Sequence, residues 1–381
     1  MAFSPPTNQP RDRKLQTYIY YNFILIVLVT LVLYLTLYIT YAADRSVSHL
    51  NVAHEIEAYR TVVKRTPHPQ AVHERQRNRN VPKRTLYPLT VESHYVINSP
   101  NICTNVSNLK FLIIVHTSTD HFQRRRIMRE TWANKNIFKT VNLRIVFFFG
   151  LTKVTATQEL IENESIVYGD VIQGNFLDTY HNLTHKGVLA YRWTQDFCQQ
   201  AEMIVKVDDD VFLNVFILLE SVYPEFKSKK RSILCQCLMK YRSKIHRGKH
   251  KWSVDKRVFR GYSHYPINYC MGYFVLISRD LIRPMYRASS LTPFFWVDDV
   301  YLYGLLPEKV GGVKHQDIRK SLMKNAKVGL KCYLESKKCS YLVVIAWAKE
   351  KGYFDQLWYA ALSQLSPAMK KEVNPLLLPE G

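Results

Sequence analysis

Met203-Ile204-Val205-Lys206-Val207-Asp208-Asp209-Asp210-Val211-Phe212-Leu213-Asn214 is an apolar run that halts at three consecutive carboxylates and then turns apolar again. Its first five residues, apolar except for Lys206, read as a short strand buried on both faces; periodicity alone leaves a buried helix segment open. The acids then fall at the carboxyl end of that strand. In open α/β sheets ligands bind in the crevice outside those ends, so carboxylates there are placed to hold a hard divalent cation through oxygen. In extended chain Asp208 and Asp210 point one way and Asp209 the other. The first two therefore suit one ligand site. The alternative is that one aspartate caps a helix beginning at Val211 while the others are solvated.

Around this stretch, 381 residues with 47% hydrophobic content suffice for one or two substantial cores, and nothing has the bias of wholesale disorder. The formal charge of +22 fits a nucleic acid, an anionic membrane surface or a diphosphate-bearing substrate. No nucleic-acid-binding module or interleaved base-stacking aromatic pattern is present, which argues against the first. Lys227 to Arg260 carries thirteen Lys/Arg against one Asp and reads as a solvated loop near an anionic ligand.

At the amino terminus, Arg11, Arg13 and Lys14 precede a stretch from Leu15 to Ala43 without a charged residue. A membrane span needs about 20 residues, and a signal-peptide core is shorter, so 15–43 reads as an uncleaved transmembrane helix. The positive residues before it place 1–14 in the cytosol and the body on the lumenal side, where disulfides are allowed. From 44 to 105 the chain is basic, proline-dotted and without sustained apolar period, as in a stem or linker. Sequons at Asn105, Asn163 and Asn182 agree with a lumenal body at 106–381.

In the body, Leu109–Val115 and Leu143–Phe149 are apolar runs of strand length, joined by a basic, helical Arg124–Trp132. A shorter run, Ile166–Tyr168, leads into Gly169-Asp170-Val171-Ile172. Leu183, Gly187, Ala190, Tyr191, Thr194 and Phe197 then recur at helical spacing before the acidic strand. This alternation predicts an α/β fold with a mostly parallel central sheet flanked by helices. Further on, Tyr269–Ile277 is another apolar run whose Gly272 permits close approach to the backbone. Phe294-Phe295-Trp296-Val297-Asp298-Asp299-Val300-Tyr301 embeds a second acidic pair in aromatics, where desolvation raises a carboxyl pKa and suits a general base. The other reading of that pair is a hydrogen-bonded structural aspartate. Lys320 to Gly381 reads as a mixed helical tail.

The ordered set Arg125–Trp132, Phe147–Gly150, Tyr168–Ile172, Phe176–Lys186, Val205–Phe212, Lys251–Val254, Tyr265–Gly272 and Asp298–Tyr301 resembles the β-1,3-glycosyltransferases. That family holds the β-1,3-galactosyltransferases and β-1,3-N-acetylglucosaminyltransferases. The resemblance implies a GT-A-like hexosyltransferase anchored in the Golgi membrane. It would move a sugar, galactose favoured, from a UDP-sugar to a glycan acceptor on a glycoprotein or glycolipid, with inversion and with Mn²⁺ or Mg²⁺. It further implies Asp210 as principal metal ligand, Asp208 as ligand or nucleotide contact with Asp209 alongside, and Asp299 as the base. Arg125, Arg129, Asp178 and Lys186 align with donor-pocket positions, Trp132 with the core, and His315 is a weak candidate for a metal nitrogen. UDP-N-acetylglucosamine or UDP-N-acetylgalactosamine transfer, or an anchored glycan-binding partner without catalysis, are the alternatives. The chain departs from the family pattern in having Asp298 where glutamate is usual and an extra residue, Tyr303, before Gly304. Cys198, Cys235 or Cys237, and Cys270 are candidates for disulfides in the body, and Cys332 with Cys339 for a small loop.

Overall fold

The computed structural model describes residues 93–140, 143–336, 339–346 and 352–378, all within one unit running from Pro82 to Gly381. The predicted cytosolic tail, transmembrane helix and most of the stem lie outside the described residues. Among the described residues no helix is long and apolar enough to cross a membrane.

Eleven strands are described: β1 (Tyr95–Ile97), β2 (Phe111–His116), β3 (Leu143–Leu151), β4 (Val171–Leu177), β5 (Met203–Asp208), β6 (Val211–Leu213), β7 (Ser232–Leu238), β8 (Tyr269–Ser278), β9 (Lys314–Asp317), β10 (Leu322–Met323) and β11 (Val343–Ile345). Eight form one sheet in the order β1-β4-β3-β2-β5-β8-β7-β9. Its heart, β4-β3-β2-β5, is parallel, as the alternation predicts. Helices α1 (Phe122–Glu130), α2 (Thr155–Tyr168) and α3 (Leu183–Phe197) connect these strands in turn. The remainder departs from a mostly parallel sheet, because β1 pairs antiparallel with β4 and β8 antiparallel with both β5 and β7, while β9 pairs parallel with β7, so the sheet is mixed.

Residues of β2 alternate between two cores, Phe111, Ile113 and Val115 on one face and Leu112 and Ile114 on the other. Both faces are covered, so the whole strand is apolar rather than alternating. The chain runs from β2 outward through β3 to β4, then returns past β2 to β5. That reversal makes the carboxyl ends of β2 and β5, where His116 stands in register with Asp208, the switch point at which open α/β sheets bind ligands.

Three stretches differ from their sequence reading. Ile166–Tyr168 is the last turn of α2, closed by Gly169 at φ 64, and the strand begins only at Val171. The folded body reaches back into the stretch read as stem, since β1 pairs with β4 and Cys103 is bonded to Cys198. The tail holds strands as well as helices: β11, from the apolar Leu342–Ile345 run, pairs antiparallel with β6. It thereby pins the segment that follows the acids, and Ala346 N–H donates to the Asp210 carbonyl at 2.9 Å. The cysteines resolve as Cys103–Cys198, Cys235–Cys270 and Cys332–Cys339, with Cys237 a buried free thiol.

Candidate active site

Asp208 ends β5 with a side chain 39% exposed, on the face of the sheet that also carries Lys206 two residues earlier. Lys206 Nζ lies 2.5 Å from Asp208 Oδ1 and donates to the Gly272 carbonyl of β8 at 2.6 Å. Gly272 N–H in turn donates to the Asp299 carboxylate. The two acidic stretches, ninety residues apart, therefore meet through one buried lysine and one glycine. Gly272 is required: a Cβ there would overlap Asp299 Oδ1. The close approach expected of this glycine is made by Asp299.

Asp298 and Asp299 open the first turn of a helix spanning residues 298–310, where unpaired N–H groups and the helix dipole favour negative charge. Burial raises the pKa of both. The neighbouring Asp298 raises Asp299 further, while Lys206 opposes the rise in each. So close a pair titrates as a unit. The same helix contains a π-helical turn at Tyr301–Leu305, the form taken when a single extra residue is absorbed within a helix. That turn holds the extra Tyr303, whose buried phenol is pushed well above its ordinary range by burial and then by Asp298, Asp299 and Asp208.

Asp210 is half-buried, and its Oδ1 finds no hydrogen-bond partner. Burial, then Asp208 and Asp209, push its pKa up to about 6. A carboxylate oxygen left in this state, beside a second and more exposed carboxylate, fits a cation completed by substrate oxygens. Among the described residues no group of three or more His, Cys, Asp or Glu forms an all-protein metal site.

Asp209 and the four residues aligned with the donor pocket make their polar contacts with other protein groups. Asp209 accepts from Thr117 Oγ1 and His121 Nδ1 at 2.6 Å each and from Arg124 Nη1 at 2.7 Å. Burial works to raise its pKa, but these partners outweigh it and hold the carboxyl at about 2. Arg125 is wholly buried, forked onto Glu164 (Nη2 to Oε2 2.7 Å) and bonded to the Ser118 carbonyl at 2.6 Å. Arg129 shares Glu164 (2.6 Å), grips Asp170 at 2.7 and 2.8 Å, and lies over the rings of Tyr168 and Phe147. Lys186 pairs with Asp178 at 2.9 Å and donates to the Thr117 carbonyl at 2.6 Å, while Asp178 accepts from Gly150 N–H. Together these groups brace the loop between β2 and α1 against the strand ends. Trp132 is fully buried, as expected of a core residue. His315 is half-buried at the far edge on β9 with Nε2 2.8 Å from the Tyr303 carbonyl, which occupies that nitrogen.

Lys206 and His116 had no role in the sequence reading. A lysine two residues before an acid in an otherwise apolar strand shares that acid's face, and this was the available signal. His116 is buried with both ring nitrogens unpartnered. Burial, then Lys206 and Lys186, hold its pKa well below the ordinary value, so the ring is neutral.

Residues 123–319 match the family model described as Galactosyltransferase. The chain is 28% identical over 274 residues to beta-1,3-galactosyltransferase 1 of Mus musculus, covering 71% of this chain and 76% of that protein. It is 30% identical over 234 residues to lactosylceramide 1,3-N-acetyl-beta-D-glucosaminyltransferase B of Xenopus laevis, covering 58% and 59%. Among solved structures it is similar to the bifunctional glycosyltransferase WbbM (TM-score 0.36, 8% identity, 70% of this chain and 52% of that one). It is also similar to mouse xyloside xylosyltransferase 1 (TM-score 0.32, 10% identity, 63% and 98%).

Proposed function

The chain belongs to the galactosyltransferase family, and from that premise we propose a GT-A-like, inverting β-1,3-hexosyltransferase that uses a UDP-sugar, galactose by preference, and a glycan acceptor. The observation that carries this reading is the link Asp208–Lys206–Gly272–Asp299, which sets an acid suited to the nucleotide side beside an acid suited to proton transfer. Asp210, with its partnerless oxygen, and Asp208 would hold Mn²⁺ or Mg²⁺. Such a cation, when bound, supplies positive charge against the diphosphate.

Asp299 accepts the proton of the acceptor hydroxyl as that oxygen bonds to the anomeric carbon and the carbon–oxygen bond to UDP breaks. One displacement inverts the centre. A carboxylate whose pKa is raised above the ordinary range is a stronger base, and Lys206 keeps it ionisable by opposing the rise. Gly272 N–H fixes one carboxylate oxygen, and the buried Asp178–Lys186 and Arg125–Glu164 pairs hold the Thr117–Ser118 segment that follows β2. Three disulfides in the body support a lumenal location in an oxidising compartment, with residues 15–43 as a Golgi membrane anchor.

The test is a donor screen: the full chain with Mn²⁺ and UDP-galactose, UDP-N-acetylglucosamine and UDP-N-acetylgalactosamine, scored by UDP release with and without acceptor glycans. Acceptor-stimulated release from UDP-galactose supports the reading. A response to UDP-N-acetylglucosamine alone moves the donor assignment toward the Xenopus laevis relative. No release from any donor removes it.

A further inference from the structure

An aromatic surface stands beside the acidic pair and has no part in the chemistry above. Trp252 and Tyr180 are 43% and 40% exposed, and Trp252 Nε1–H donates to the Tyr180 hydroxyl at 2.6 Å. Tyr180 continues to Trp296, with ring centroids 6.3 Å apart, and Trp296 is three residues before Asp299. His181 packs against Trp296 at 4.4 Å, and Lys251 Nζ sits 4.2 Å from the Tyr180 ring centre. Trp252 and Tyr180 are thus tied to each other by one hydrogen bond while both remain partly open to solvent. Large rings held open in this way are not explained by core packing.

We propose that Trp252, Tyr180 and Trp296 form a stacking platform for a pyranose ring of the acceptor glycan, set beside Asp299. This rests on the transferase reading above and names the side from which its acceptor enters. A pyranose presents a C–H face bounded by hydroxyls. An aromatic face takes the first, and Lys251, whose ammonium lies over the Tyr180 ring, is a donor for the second. Trp296 is the ring that adjoins Asp299 in the chain, and on that ground the platform is given to the acceptor rather than to uracil. The phenol of Tyr180 is itself pushed upward by burial first and then by Asp298, Asp299 and Asp208, as its nearness to the acids requires.

The test compares wild type, Trp252→Ala and Trp252→Phe as full chains. Transfer kinetics use lactose, N-acetyllactosamine and benzyl β-N-acetylglucosaminide as acceptor probes, and saturation-transfer NMR measures the binding of the same sugars without turnover. Trp252→Ala is expected to raise the acceptor KM about tenfold, leave the donor KM unchanged and abolish the NMR signal, with Trp252→Phe recovering much of both. An unchanged acceptor KM overturns the proposal, as does a raised donor KM, which would put the rings on uracil. If wild type turns over no donor, the transferase reading fails and NMR still decides the platform: sugar binding lost in Trp252→Ala upholds it, and no binding by wild type overturns it.

Discussion

Replacing Gly272 by alanine adds one methyl group at the point where the two acidic stretches meet. The added carbon would overlap Asp299 Oδ1 and stand 3.1 Å from its Cγ, so the carboxylate must withdraw and its bond to Gly272 N–H is lost. Gly272 lies where the β7 pairing of β8 shifts register, and the atom that the new carbon meets is the end of the Asp299 side chain, which moves by about 1 Å; a misplacement of that size costs about a hundredfold in rate. That corresponds to about 2.7 kcal/mol of transition-state stabilisation. Stability changes less, because overpacking costs about 1–3 kcal/mol and the lower chain entropy of alanine offsets roughly 0.5–1 of it. The assay is kcat for acceptor-dependent UDP release, alongside UDP affinity by calorimetry and thermal unfolding. The expected result is a kcat near one per cent of wild type, UDP affinity within threefold and a Tm lower by a few degrees. Wild-type kcat in a folded Gly272→Ala protein would refute the placement of Asp299.

Other outcomes follow from the same geometry. Glu164→Gln should destabilise the body by about 3–5 kcal/mol, read by denaturant unfolding, because buried Arg125 and Arg129 lose their shared carboxylate. Burial works to raise the Glu164 pKa, but the two arginines outweigh it and depress it. Its contribution to stability is therefore present above its unfolded pKa of about 4.3 and lost as pH falls through the lower folded value, so Glu164→Gln should flatten the acid limb of the stability curve. With Asp210 as the proposed metal ligand, wild type should gain Tm on addition of Mn²⁺, and Asp210→Ala should abolish both that gain and metal-dependent turnover. Thiol labelling under denaturing, non-reducing conditions, read by mass spectrometry, should modify Cys237 alone.

Local pattern carried the parallel heart of the sheet, because a strand covered on both faces must be apolar throughout and Leu109–Val115, Leu143–Phe149 and Met203–Val207 are. It also carried the place of Asp208 at the end of β5, whereas Asp209 turns into protein and accepts from Thr117, His121 and Arg124. The inward turn of Arg125 and Arg129 was hidden because Glu164 lies 39 and 35 residues away, and nothing near either arginine marks its partner. The antiparallel pairing of β8 with β5 depends on a long return through the basic loop, which fixes no direction in sequence. Strands as short as β1 and β11 are stabilised by their neighbours rather than by their own period, so the stem boundary and the tail read as irregular. Tyr303 was visible as an extra residue, but only the backbone shows that a π-helical turn absorbs it.

The account stands on Asp299 acting on the acceptor across Lys206 from the nucleotide acids. The direct measurement is Asp299→Asn, which keeps the side chain's size and removes its basicity, assayed for UDP affinity and acceptor-dependent transfer on one preparation. The account predicts UDP affinity within threefold of wild type and transfer lowered by at least about a thousandfold. Transfer at the wild-type rate, with UDP bound normally, would contradict it.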